Sequence, residues 1–195
     1  MASTNWEYRT FSAFNGLPGK GFLRARVSID STSTATPFQT WIDSFSSSIP
    51  NSSDRLPTAD PDHDGVTNLA EFAFDGLPNA ASSKGLFFTT LKDNNSDGLK
   101  ELTFTCAVRR SALAFSANAN GAQTATIDGV TYTIEGSATL TGTWNTPVTY
   151  IGKSDAAPAG SSLPSLAGTN WEYRTFSAFN GLAGKGFLRA KVSQP

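Results

Sequence analysis

One segment of this chain occurs twice. Residues 4–28 read TNWEYRTFSAFNGLPGKGFLRARVS, and residues 169–193 read TNWEYRTFSAFNGLAGKGFLRAKVS. Two positions differ, Pro18 against Ala183 and Arg26 against Lys191. Nothing between the copies repeats, and their offset of 165 residues is the size of a domain, not of a helical repeat or a propeller blade. Each copy joins two runs rich in aromatic and β-branched residues, WEYRTFSAF and GFLRA(R/K)V, through a stretch with turn chemistry, and so reads as a β-hairpin. A chain of 195 residues suits one domain and a little more. A single core therefore has two candidate closing hairpins. Trp6, Tyr8, Phe11, Phe14 and Phe22 in the first correspond to Trp171, Tyr173, Phe176, Phe179 and Phe187 in the second.

The residues between the copies change character along the chain. SIDSTSTAT is a polar linker. PFQTWIDSF places Phe38, Trp41, Ile42 and Phe45 at i, i+3, i+4 and i+7, which predicts a short amphipathic helix capped by Thr36 with Pro37 in its first turn. NLAEFAF predicts a second short helix, ended by DGLPNA. Strand patterns follow in GLFFTTLK, KELTFTCAVRR, TATI, VTYTIEGSA and TPVTYIG, with Asp128-Gly129 as a strong hairpin signal. KSDAAPAGSSLPSLAG is a second flexible stretch before the second copy. The expected fold is mainly β, an antiparallel β-sandwich with a small calcium-binding helix–loop–helix insertion on its N-terminal side. Its parts are an extra hairpin copy at 1–28, a linker at 29–35, a helix–calcium loop–helix unit at 36–79, and a sandwich at 80–195 closed by the hairpin at 169–193.

DPDHDGVTNLAE, Asp60 to Glu71, is the sharpest local signal. Calcium takes about six to eight hard oxygens, and a 12-residue loop can supply them from fixed positions. Asp60, Asp62 and Asp64 stand at positions 1, 3 and 5, with Gly65 at position 6 for the sharp turn. Val66 offers a carbonyl at position 7, Asn68 a direct or water-mediated ligand at position 9, and Glu71 two oxygens at position 12. The competing reading is an acidic solvated turn capping the following helix. DNNSDGLKE repeats the pattern in part, with Asp93, Asn95, Asp97 and Gly98 at positions 1, 3, 5 and 6, but position 12 is Phe104. It reads as a weak second metal site or as a polar turn between two strands.

The order FQTWIDSF, ADPDHDGVTNLAEFAFDGLP, LTFTCAVRR, YTIEGSATLTGTW and GKGFLRAKVS resembles a module recurring in large secreted proteins of Verrucomicrobia and Planctomycetes. The hallmark of that module is a DPDGDGLTNLxEYxxG calcium loop, similar to EF-hand, dockerin and thrombospondin type 3 loops. Strands containing vExSxDLxxW and a final ffRlkV follow it. The resemblance covers about residues 36 to 193. His63 stands for the usual Gly and Phe72 for the usual Tyr, neither at a ligand position. It implies an extracellular, non-catalytic module, secreted or at the cell surface, and no defined substrate.

Composition narrows the remaining classes. A net charge of −1 leaves no electrostatic footprint for nucleic acid, and the chain has no 18-residue apolar run for membrane insertion. No signal peptide is visible. One cysteine, Cys106, excludes an internal disulfide and sits in an apolar-alternating run as a buried thiol. The one histidine, His63, lies inside the acidic loop, so no Ser-His-Asp or Cys-His arrangement can form elsewhere, and Glu101, Glu135 and Glu172 fall in strand-like runs without a catalytic motif. The sequence is therefore read as a non-enzymatic structural or adhesive repeat unit that takes calcium. Its partners would be its own copies, as tandem neighbours or as subunits exchanging the duplicated hairpin into fibres. The competing class is a carbohydrate-binding module using Trp6, Trp41, Trp144 or Trp171 as sugar platforms, although core packing is the simpler role for each.

Overall fold

The computed structural model describes residues 35–179 and 186–194. Trp6, Tyr8, Phe11, Phe14 and Phe22, with the rest of the first copy and residues 29–34 of the linker, lie outside the described residues. Two short helices precede eight strands: α1 (Pro37–Asp43), α2 (Asn68–Phe74), β1 (Phe87–Lys92), β2 (Glu101–Arg109), β3 (Ser116–Ala117), β4 (Gln123–Ile127), β5 (Val130–Ser137), β6 (Thr149–Ser154), β7 (Trp171–Ala178) and β8 (Phe187–Ser193). The strands form two four-stranded antiparallel sheets, ordered β1-β2-β7-β6 and β3-β4-β5-β8. The fold is a β-sandwich, mainly β as the alternating strand patterns predict.

Local sequence accounts for most of these limits. Thr36 Oγ1 accepts the Gln39 amide at 3.1 Å, and Pro37 occupies the first turn, where its missing N–H costs nothing. Asp128 and Gly129, with φ of 52° and 76°, make the tight turn that sets Ile127 opposite Val130. The inner faces of both sheets meet the helices in one core that includes Phe38, Ile42, Phe72, Phe74, Phe104, Cys106, Tyr132, Ile134 and Phe176. Cys106 is fully buried there, as its apolar run predicts.

The expected closing hairpin is corrected by the pairing. β7 lies inside the first sheet between β2 and β6, whereas β8 pairs with β5 at the edge of the second. The segment 169–193 therefore crosses from one sheet to the other and closes both. Its two runs face different partners because both sides of β7 are already bonded, which leaves no ladder for β8. Tyr173 and Phe176 are buried, and Trp171, Phe179 and Phe187 are half-buried. The helix–loop–helix expectation also changes in form. A 3₁₀ turn (Ser52–Arg55) stands between α1 and the acidic loop, and the loop runs directly into α2. The two helices meet instead through rings: Phe38 and Trp41 each pack on Phe72, with centroids 5.6 and 5.4 Å apart.

A seven-residue helix leaves its last carbonyls without helical partners and is far too short to persist alone. In α2 those carbonyls are taken up by the surrounding structure. Trp171 Nε1 donates to Phe72 O at 2.9 Å, Tyr132 OH to Ala73 O at 3.2 Å, and the Leu86 amide to Phe74 O at 2.8 Å. Asp75 adopts a left-handed conformation at φ 59°, and the Gly76 amide returns to Glu71 O at 2.8 Å. Gly76 is required by space, since a Cβ there would lie 2.8 Å from Ser83 O and 3.0 Å from Glu71 Cβ. The Arg109 guanidinium is layered between the rings of Phe72 and Trp171, 4.6 and 4.5 Å from their centroids, and its Nε donates to Asp128 Oδ2 at 2.9 Å.

Tyr132 OH also accepts the Arg109 amide at 3.2 Å, so it bridges β2 to α2 in the interior. Tyr132→Phe keeps the ring and strands a buried donor and a buried acceptor, which costs about 1–3 kcal/mol. Thermal unfolding of that variant should start from a Tm lowered by roughly 2–4 °C per kcal/mol lost. An unchanged Tm would show that the bridge contributes nothing to the attachment of α2.

Candidate metal centre

The loop preceding α2 is organised by its own carboxylates. Asp60 Oδ2 accepts the Gly65 amide at 2.9 Å and Asp60 Oδ1 the Asp64 amide at 3.2 Å. Asp64 Oδ1 accepts the Val66 amide at 2.8 Å. His63 and Gly65 carry positive φ, 62° and 89°, and together they wind the chain around a point on which the side chains converge. One oxygen from each of Asp60, Asp62 and Asp64 lies within 4.8 Å of the other two. These three acidic side chains could hold a metal ion.

Glu71 and Asn68 project from α2 on the buried side of the loop, and neither has any exposed surface. Asn68 is fixed by two bonds from Nδ2, to Asp54 O and Leu56 O, each 2.8 Å, and its Oδ1 has no protein partner. Both carboxylate oxygens of Glu71, together with Asp62 Oδ2 and Asp64 Oδ2, are likewise buried without a partner. Glu71 stands outside the 4.8 Å set formed by the three aspartates. Burial pushes its carboxyl up to about 8 from an ordinary value near 4.5, and the charges of Asp62, Asp64 and Asp60 push it the same way. Burial and the Asp64 charge also raise Asp62. Burial acts in that direction on Asp60 too, but the Gly65, Asp64 and His63 amides outweigh it and hold its carboxyl below the usual range.

A buried carboxylate with two unpartnered oxygens beside three further carboxylates is an arrangement a protein interior does not tolerate as it stands. Four acids and a buried amide oxygen supply only hard oxygen donors, which suits calcium or another hard divalent cation. The donor set fits such an ion. Lys84 is a contribution that spacing along the loop could not reveal: its Nζ donates to Asp64 O and lies 4.0 Å from Asp64 Oδ2. It arrives from 20 residues beyond, so no local motif contains it. His63 is exposed, its Nδ1 2.9 Å from Asp60 O.

The other sequence-predicted residues are placed as follows. Asp93, Asn95 and Asp97 form the turn between β1 and β2. Glu172 is held by Arg174 and Lys153, and Glu135 by Arg189 and Lys191. Trp41 lies in the aromatic cluster of the helices, Trp171 is covered by Arg109, and Trp144 by Arg189 at 3.8 Å from its ring centroid. Among the described residues no helix is long and apolar enough to cross a membrane. No protein-family model, no curated protein and no solved structure matches the chain.

Because folded, metal-free Glu71 keeps its proton to about pH 8 while the unfolded chain releases it near 4.5, the folded state binds more protons across that window. Stability of the metal-free protein therefore falls as pH rises from about 4.5 through 8. A cation bound at the loop through Glu71 would replace the proton and remove that slope. Calorimetric Tm values at pH 5.5 and 8.5, with calcium and with chelator, should differ little at the lower pH and widely at the higher. A gap independent of pH would separate Glu71 from cation binding.

Proposed function

We propose that the chain is a non-catalytic, calcium-rigidified structural repeat unit of a secreted or cell-surface protein. The observation that carries this reading is the buried Glu71 carboxylate, orphaned beside Asp60, Asp62 and Asp64 on a helix whose other end is bonded to the sandwich. Asp60, Asp62, Asp64 and Glu71 would hold the ion, with the Val66 carbonyl and Asn68 Oδ1 completing the oxygen set. Calcium held there would supply positive charge and would stiffen the approach to α2. The resemblance to the extracellular calcium-loop modules of Verrucomicrobia and Planctomycetes is consistent with this role. The glycan-binding alternative needs an open aromatic platform, and each of the three described tryptophans is engaged by protein groups.

The first copy of the duplicated segment would give the unit a means of joining others. WEYRTFSA, the whole of β7, recurs without change at residues 6–13, and FLRAKVS of β8 recurs at 22–28 with one change. That change preserves charge: Lys191 Nζ meets Glu135 Oε1 at 2.8 Å, and an arginine there offers the same partner. Residues 4–28 are thus chemically equivalent to the strands that close both sheets, so the copy of one unit can close the next. Exchange of this sort is head-to-tail and builds filaments unless it closes into a ring.

Light scattering on the chain after unfolding and refolding over a concentration series, with calcium and after chelation, tests the assembly. The mass should grow with concentration, and deletion of residues 1–28 should hold it at the monomer value. Truncation after residue 168 should still give a folded protein, closed by the remaining copy. A strict monomer at every concentration, together with an unfolded truncation, would reduce residues 4–28 to the tail of a preceding tandem repeat. Loss of the calcium-dependent Tm in Glu71→Gln checks the metal reading separately.

A further inference from the structure

The turn between β1 and β2 has the internal geometry of the first acidic loop. Asp93 stands where Asp60 does: its Oδ2 accepts the Gly98 amide at 2.9 Å, as Asp60 Oδ2 accepts that of Gly65 at 2.9 Å. Asp97 Oδ1 accepts the Leu99 amide at 2.8 Å, as Asp64 Oδ1 accepts that of Val66. Asn95 Oδ1 accepts the Asp97 amide at 3.1 Å, in the place of Asp62. Ser96 and Gly98 carry φ of 62° and 84°, against 62° and 89° for His63 and Gly65. These features alone describe a wound polar turn. The residue that makes it more is Glu101.

Glu101 is the first residue of β2, opposite Lys92 in the ladder, and only 5% of its surface is exposed. Its carboxylate is gripped from one side only. Oε2 accepts the Asn94 amide at 2.8 Å and Asn94 Nδ2 at 3.0 Å, and that Nδ2 also donates to Thr103 Oγ1 at 2.8 Å. Oε1 is buried with no protein partner. One oxygen each of Asp93, Asp97 and Glu101 lies within 4.8 Å of the other two. Glu101 is eight residues after Asp93, the place that Asn68 holds relative to Asp60, and Asn68 Oδ1 is also buried without a partner. The carboxylate missing at Phe104 is therefore supplied three residues earlier, from inside a strand.

The geometry points to a second divalent-cation site at the β1–β2 turn, formed by Asp93, Asp97 and Glu101 with Asn95 beside them. Three carboxylates, that of Glu101 with a buried unpartnered oxygen, make it an all-oxygen site of the kind calcium takes. Asn94 orients the Glu101 carboxylate, so that Oε1 is left for the ion. Without a fourth carboxylate it is the weaker of the two sites, in the range of about 0.1–1 mM expected of extracellular modules. Its effect would be to pin the tip of the β1–β2 hairpin at one edge of the first sheet. The inference stands on residues separate from the first loop and does not depend on the ion there.

Calorimetric titration of the chelator-treated full chain with calcium should give two sites. Glu71→Gln should retain the weaker, and Glu101→Gln should retain the stronger while weakening the other at least tenfold. One site in the unmodified chain, or two sites of unchanged affinity in Glu101→Gln, overturns the proposal. The unmodified chain also answers if Glu101→Gln does not fold. In its amide spectrum, Gly98 and Leu99 should shift as calcium rises to about 10 mM, well above that range. If they stay fixed, whether or not Gly65 and Val66 move, the turn is held by its hydrogen bonds alone and takes no ion.

Discussion

The rest of the structure depends on how α2 is held. A helix of two turns cannot pay its own nucleation cost, and this one persists because both ends are bound elsewhere. At its C-terminal end the carbonyls of Phe72, Ala73 and Phe74 are met by an indole, a phenol and a backbone amide from the surrounding protein. Its N-terminal half carries Asn68 and Glu71 into the acidic loop. The candidate metal centre and the sandwich core thus share one element less than three turns long. A change in charge at Glu71 acts on the same helix that Trp171 and Tyr132 hold, which is why occupation of the loop should register in the stability of the whole domain.

Electrostatics separates this loop from an ordinary acidic turn. An exposed run of aspartates spreads its charge into water and needs no partner. Here Glu71 is fully buried, Asp64 nearly so, and their free oxygens meet no donor. Lys84 offers partial compensation at Asp64, but it approaches from the solvent side and leaves Glu71 uncompensated. Elsewhere among the described residues the buried charges have partners: Glu172 and Arg174 hold each other, and Arg109 is met by Asp128. Among the described residues, the carboxylate oxygens buried without a hydrogen-bond partner are those of the acidic loop and Glu101.

Much of this was legible in the chain because it is decided locally. The limits of α2, the Thr36 cap and the Asp128-Gly129 turn each follow from residues within a few positions of one another. The six candidate ligands of the first loop were readable for the same reason. Pairing was not. WEYRTFSAF, a turn and GFLRAKV satisfy a hairpin and a sheet-to-sheet crossing equally, and the choice is made by the vacancy between β2 and β6, strands that end more than 15 residues earlier in the chain. β3 escaped notice because two residues carry no period. Glu101 was missed because a fixed 12-residue template places its last ligand on Phe104, while the fold turns a strand residue inward at the ninth position.

The topology also limits how the duplicated segment can be used. An edge strand can be added to a finished sheet, but β7 is bonded on both sides, and Glu172, Arg174 and Phe176 on it are buried. No second copy can enter that position without separating β2 from β6 and exposing the core. Replacement in the folded protein would therefore require opening of a size close to global unfolding. The occupant would be chosen when the first sheet is completed, and a neighbour's copy could compete with the chain's own only at that moment. The chain's own copy has the advantage of tethering through residues 155–170, which keep it at a high effective concentration. Exchange of the proposed kind would consequently depend on protein concentration during folding and, once made, would persist with the lifetime of the fold.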